Sequence, residues 1–290
     1  MPRLSGARPS DPVWGCRFAQ ETIPACVTLL LVSAWAADPQ FAGGERPGQV
    51  AVTPVTRLAS EIGGAWTSGN TNNYALNGGL AGSHLWRRNK LSLVLAANVG
   101  RGLIDTDLDG HLSAAERAAP WIETARKYGA EARYDRFFGA MDSLYLLVGT
   151  LVDPFSGYDN RSHAQAGWSR MLLEKPRAYS LIGELGVDVA REDFVEGVDP
   201  PLQQVYAGRL MLGASYEFNP SVSISERIEV YENILDLDDV RILNTAALTA
   251  TLGARVSLRL SDSLTWDNVP VEGFQSFDQT TMVTFVASIL

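Results

Sequence analysis

From about Ser60 to the last residue, apolar and polar positions alternate along the chain with a period of two. In residues 125–135, Tyr128, Ala130, Ala132 and Tyr134 share one face, while Lys127, Glu131, Arg133 and Asp135 share the other. In 90–100, Leu91, Leu93, Leu95, Ala97 and Val99 oppose Ser92 and Asn98. In 181–189, Leu181, Leu185, Val187 and Val189 oppose Glu184 and Asp188, and at the end of the chain Val283, Phe285, Ala287 and Ile289 oppose Thr284 and Ser288. Such alternation builds β-strands with one apolar and one polar face. A soluble sandwich would bury the apolar faces together, whereas a transmembrane barrel turns them to lipid. Strand length decides between the two. Sandwich strands run about 5–6 residues, and a tilted membrane strand needs about 9–11. The segments 73–86, 90–100, 205–218 and 221–233 are of the longer kind. The pattern predicts an all-β protein, an antiparallel transmembrane β-barrel.

Connections alternate as well. Short ones are expected at 87–89, 139–142, 174–177, 219–221 and 260–263. Longer ones are expected at 68–72, 101–123, 153–161, 191–203, 235–239 and 270–277. Short periplasmic turns, long outer loops and an even strand count, here about twelve, are the rule for outer-membrane barrels. Aromatic residues near strand ends (Trp66, Trp86, Tyr128, Tyr134, Tyr145, Trp168, Tyr216, Tyr231, Trp266) are candidates for the interfacial girdles.

Composition narrows the class further. Among 290 residues, 24 Lys and Arg face 33 Asp and Glu, an acidic balance that argues against a nucleic-acid partner. Arg3, Arg8 and Arg17, the apolar run 25–32 and the small residues at 34–36 read as a cleaved secretory leader over residues 1–36. That apolar run is too short for a membrane-spanning helix, which needs about 20 residues. Both cysteines, Cys16 and Cys26, fall in the leader, so the exported part has no thiol or disulfide. Residues 37–58, rich in Gly and Pro, read as a flexible periplasmic linker. The barrel is then expected over 59–290.

One segment breaks the pattern. In "DTDLDGHLSAAE", residues 105–116, acids at positions 1, 3 and 5, Gly at 6 and Glu at 12 match the spacing of an EF-hand calcium loop. Calcium is a hard cation that takes about 6–8 oxygen ligands. Asp105, Asp107 and Asp109 would supply carboxylates, His111 its backbone carbonyl, Ser113 a direct or water-mediated contact, and Glu116 two oxygens. Gly110 permits the turn, and Leu112 is the apolar residue between ligands. Ser113 and the segment after it predict a short exit helix. A strand enters the loop, so this is half an EF-hand, an insertion at 101–123, and it resembles the single calcium loops of dockerin modules. An affinity on the order of 10⁻⁴–10⁻³ M is expected. The plain alternative is an acidic, solvated loop, since Asp and Gly concentrate there.

Little else points to chemistry. Of three histidines, His84 and His163 lie at strand ends and His111 in the loop. Ser162 and His163 are adjacent in one strand and so point to opposite faces, which spoils a Ser–His pair. No catalytic residue is expected. Lys127, Glu131, Arg133, Asp135, Glu184, Asp188, Arg227 and Glu229 form a mixed-charge polar face, read as a mutually neutralising barrel interior. The alternative is the lining of a narrow pore.

Residues 68–80, "SGNTNNYALNGGL", and 134–168, with Asp153, Phe155, Ser156, Gly157 and Tyr158 in an Asp-x-Phe-Ser-Gly-Tyr motif, resemble a known family. It is the YdiY-like salt-induced outer-membrane protein family, a domain of unknown function, and the likeness runs over roughly residues 60–290 in order and spacing. That family lacks an acidic calcium-type loop after the third strand. The resemblance implies an outer-membrane β-barrel of unassigned biochemical role with no catalytic residues to carry over, and the leading expectation is a non-enzymatic barrel of envelope or salt-stress type. Its partners would be outer-membrane lipid, the barrel-assembly machinery and, through calcium, lipopolysaccharide. A small-solute diffusion channel and a calcium-dependent outer-membrane hydrolase are the alternatives.

Overall fold

A computed structural model describes residues 54–68, 72–106 and 112–290. The segment expected to be a leader and most of the expected linker lie outside the described residues. So do Asp107, Asp109, Gly110 and His111 of the expected calcium loop.

Twelve strands form one closed antiparallel barrel. They are β1 (Val55–Thr67), β2 (Asn73–Trp86), β3 (Asn89–Gly102), β4 (Ile122–Phe137), β5 (Asp142–Asp153) and β6 (Tyr158–Lys175). The second half comprises β7 (Tyr179–Phe194), β8 (Leu202–Asn219), β9 (Val222–Asn233), β10 (Val240–Thr251), β11 (Val256–Asp267) and β12 (Phe277–Ser288). Each strand pairs with its sequence neighbours, and β1 closes the ring on β12. Closure leaves a lipid-embedded sheet no free end strand, which is why spanning sheets are barrels. Among the described residues no helix is long and apolar enough to cross a membrane.

The packing is inside-out. Leu91, Leu93 and Leu95 of β3, Leu144, Leu146 and Val148 of β5, and Leu185, Val187 and Val189 of β7 are exposed on the outer wall. The buried positions between them are polar: Ser92 and Asn98, Ser143, Glu184 and Asp188. In water such a wall would expose apolar side chains on every strand, whereas in lipid it is the buried face of the protein.

The structure moves several expected boundaries. β1 begins at Val55, so residues 55–58, read as linker, pair with 82–85 of β2. The segment 260–263 is not a turn. It lies inside β11, where Ser261 and Ser263 face the lumen, and the turn falls at 252–255. The two serines there mark a wet interior face rather than a chain reversal. The connections at 154–157 and 195–201 are shorter than expected, because β5, β6 and β7 continue as paired strands into the segments read as loops.

The loop between β3 and β4 carries the one α-helix among the described residues, α1 (Ala114–Arg117). Ser113 caps it, accepting from the Glu116 N–H, while the Glu116 carboxylate accepts from the Ser113 N–H at 2.8 Å. This reciprocal capping box satisfies backbone donors at the helix start.

Candidate functional site

The charged face expected from alternation does line the lumen, and the structure ties it into a chain across the barrel. Arg133 on β4 makes a two-pronged pair with Glu184 on β7, at 2.7 Å from Nη2 to Oε1 and 3.1 Å from Nη1 to Oε2. Arg133 also grips Asp135 on its own strand through Nε and Nη2, both at 3.0 Å. From β8, Arg209 donates to Glu184 at 2.8 Å and to Glu229 of β9 at 2.6 Å. Arg227 closes the sequence on Glu229 at 3.2 Å. Acids and bases alternate along Asp135, Arg133, Glu184, Arg209, Glu229 and Arg227, so the chain is neutral overall. Planar guanidinium forks are suited to such bidentate bridging.

Tyr145, only 1% exposed, lies at the centre of this layer. It pairs with Gly167 on β6, which pairs in turn with Gly186 on β7. Those glycines leave a bare strip of backbone on which the ring reclines. A Cβ at Gly167 would come within 2.7 Å of the ring, and one at Gly186 would collide with the Tyr145 hydroxyl. The Arg133 guanidinium stacks over the ring at 4.2 Å, and Arg209 Nη1 donates to the hydroxyl at 2.9 Å. Tyr231, on β9, donates to Glu229 and accepts from Gln165 at 3.1 Å. Tyr145 and Tyr231 therefore face the lumen, not the membrane interface as expected from their positions near strand ends. Trp66, Tyr128, Trp168 and Tyr216 do stand exposed on the outer wall.

Above this layer lies a cavity of about 140 Å³, opening toward the long loops. Its walls carry Lys127, paired with Asp153 at 2.8 Å, and a second ion cluster. In that cluster Glu192 of β7 takes Arg161 at 2.9 Å and Arg241 of β10, and Arg241 Nε reaches Asp267 at 2.9 Å. The loop between β11 and β12 folds over the mouth: a Cβ at Gly157, on the opposite side of the ring, would meet Val271 at 2.9 Å and Phe274 at 3.1 Å. Gly157 has φ +92°, a left-handed conformation that glycine adopts freely.

Of the lumen residues expected from the sequence, Arg133, Asp135, Glu184, Arg227 and Glu229 join the central chain. Lys127 and Glu131 line the cavity, and Asp188 lies buried beside it, 4.0 Å from Arg161. Arg209, Tyr145, Glu192, Arg161 and Arg241 were not anticipated. His163 is in mid-strand facing the cavity, while Ser162 faces outward and bonds Thr150. Ser156 donates to Asp153, and His84 is bonded to Thr56.

In the β3–β4 loop, Asp105, Ser113 and Glu116 are described. The Glu116 Oε1 accepts from the backbone N–H and the hydroxyl of Thr106, each at 2.6 Å. Position 12 of the expected calcium loop is thus folded back onto position 2. These hydrogen bonds, led by the Thr106 hydroxyl, lower the Glu116 pKa from its ordinary value to about 2.

These features define a transmembrane-type β-barrel whose lumen is crossed by side chains. The sequence assigns it more narrowly: residues 60–289 match the family described as "Protein of unknown function, DUF481", and the chain belongs to that family. No curated protein matches the chain. Among solved structures, the NanC porin is similar at 12% identity over 80% of this chain and 100% of that chain, with a TM-score of 0.47. The anion-selective porin from Comamonas acidovorans shows 13% identity, 82% and 100% coverage and a TM-score of 0.35. The KdgM porin in complex with disordered oligogalacturonate shows 9% identity, 81% and 96% coverage and a TM-score of 0.38.

Proposed function

We propose that this protein is a non-enzymatic outer-membrane β-barrel, shut at rest, that serves the envelope rather than acting as an open diffusion pore. The observation that carries this reading is the chain from Asp135 through Arg133, Glu184, Arg209 and Glu229 to Arg227, drawn across the lumen from β4 to β9. Buried ion pairs of this geometry resist separation, because each partner left alone is an uncompensated charge. The role in envelope or salt stress is supported by the family-like signatures at 68–80 and 134–168. Surrounding lipid and the barrel-assembly machinery are its partners in this reading.

The β3–β4 loop is proposed to bind one calcium ion through Asp105, Asp107, Asp109, His111, Ser113 and Glu116. One observation bears on it: Glu116, at position 12, returns onto Thr106 at position 2 and so brings the two ends of the loop together. Calcium there would order an outer loop and bridge it to anionic lipopolysaccharide.

A gated small-solute channel is the second reading, and the mixed-charge cavity above the central layer favours it. Planar-bilayer recording separates the two. The wild type should give a flat trace and Arg209→Ala discrete conductance steps, whereas steady wild-type conductance would remove the shut-barrel reading.

A further inference from the structure

The wall is not equally closed all round. β1 and β12 are paired over five positions only, from Ala59↔Ser288 to Gly63↔Thr284. The next shortest pairing, β4 with β5, runs over ten. Yet both strands continue past that point. β1 runs on to Thr67, paired with β2 alone, and β12 comes from Phe277, paired with β11 alone. The seam is pinched where it ends: a Cβ at Gly63 would lie 2.7 Å from the Val283 carbonyl oxygen and 2.6 Å from Asn77 Oδ1. Beyond the pinch no strand pairing joins β1 to β12, from mid-wall up to the exposed Trp66.

Two independent features coincide with the parting. On the inner side, Asp278 and Thr280 of the freed part of β12 line the cavity, which brings the cavity to the β12 edge of the seam. On the outer side, β12 interrupts the apolar belt. Thr281 donates to Asp262 at 2.6 Å, and Gln279 donates to the same carboxylate at 3.0 Å. Asp262 sits at mid-strand on the outer face of β11, a position that is costly when it meets hydrocarbon. Unpaired strand edges are equally disfavoured in lipid, each unsatisfied backbone group costing several kcal/mol. A gap edged with hydrogen-bonding groups, between lipid and a charged cavity, suits a molecule with a polar head and an apolar tail.

We propose that the β1–β12 seam is a lateral portal through which a phospholipid from the surrounding bilayer enters, its head toward the cavity and its chains against Trp66 and Val283. The proposal rests on the reading that the barrel spans a bilayer.

The test uses the full chain with Cys16 and Cys26 replaced by Ser, reconstituted in phosphatidylcholine vesicles carrying phosphatidylcholine with a nitroxide high on the acyl chain. A fluorophore is placed at one introduced cysteine in each variant. Val283→Cys reports the outer wall, Thr280→Cys and Thr67→Cys the two lumen-facing sides of the gap, and Leu151→Cys the far wall of the same cavity. The portal predicts that Thr280 and Thr67 are quenched about as strongly as Val283 and several-fold more than Leu151. Quenching of Val283 alone overturns the portal and leaves the barrel standing. No quenching at Val283 overturns the membrane reading itself. Oxidative dimers through Val283→Cys, with Thr280 and Thr67 unquenched, would make the seam an interface between copies and also overturn the portal. Migration of unboiled against boiled protein identifies folded variants, and either gap position suffices if the other fails to fold.

Discussion

Arg133 and Glu184 face each other across the lumen from strands that are not neighbours, and they meet through two parallel hydrogen bonds of 2.7 and 3.1 Å. Both side chains are buried, at 3% and 2% exposure. The pair therefore spans the barrel like a strut, and its removal should affect both stability and permeability.

Truncating one partner strands the other. Arg133→Ala leaves Glu184 and Asp135 short of a cation, and breaking a buried pair in this way costs about 3–5 kcal/mol. The heat-induced gel shift of the folded barrel should appear at lower temperature. The double variant Arg133→Met/Asp135→Leu should recover part of the loss, because it also removes the carboxylate that Arg133 neutralises, while Glu184 keeps Arg209. An equal or larger loss in the double variant would show that the stranded charge is not what the truncation costs.

The glycine strip beneath Tyr145 makes a second expectation. Gly186→Ala puts a methyl group against the Tyr145 hydroxyl and the Ala166 carbonyl oxygen, and Gly167→Ala puts one against the Leu185 carbonyl oxygen and the Tyr145 ring. Overpacking of this kind costs about 1–3 kcal/mol. The ring should lift, its bond with Arg209 should break, and single-channel recording should show openings absent from the wild type. A Gly186→Ala protein with unchanged stability and a flat trace would contradict the packing.

Protonation of Glu116 should loosen the β3–β4 loop. Its folded pKa, about 2, lies below the ordinary carboxylate value of 4.5. The stabilisation is therefore fully present above the ordinary value and is lost as pH falls toward 2. Pepsin cleavage within 103–121 should accelerate through that window. Glu116→Gln should cleave readily at every pH tested, with no such transition.

Calcium gives a separate handle on the same loop. With the ion bound, trypsin should cut after Arg117 more slowly than in chelator, and Asp105→Ala should abolish the difference. Identical cleavage with and without calcium in the wild type would leave the loop as plain acidic surface.

Much of the lumen could be read from parity alone. Arg133, Asp135, Glu184 and Glu229 alternate with apolar residues, and each faces inward as that parity requires. Arg209 escaped because the inner face of β8 is itself apolar or small, with Val205, Ala207 and Met211 buried beside it. There the two faces look alike, and a single Arg carries no period. Tyr145 and Tyr231 were misplaced for a related reason. Their positions near strand ends match an interfacial girdle, and only their lumen partners show which way they point.

The sequence by itself determined most of the strands and which of their side chains face inward, because alternation is a local property of each segment. It also placed the acidic residues of 105–116 together, because they are contiguous in the chain. Only the tertiary structure decided which charges meet. Glu184 lies 51 positions from Arg133 and 25 from Arg209, yet it bonds both. The tertiary structure also decided that β1 and β12 part above Gly63. Closure joins the two ends of the barrel, and its register follows from how the whole ring is staggered, which no single segment encodes.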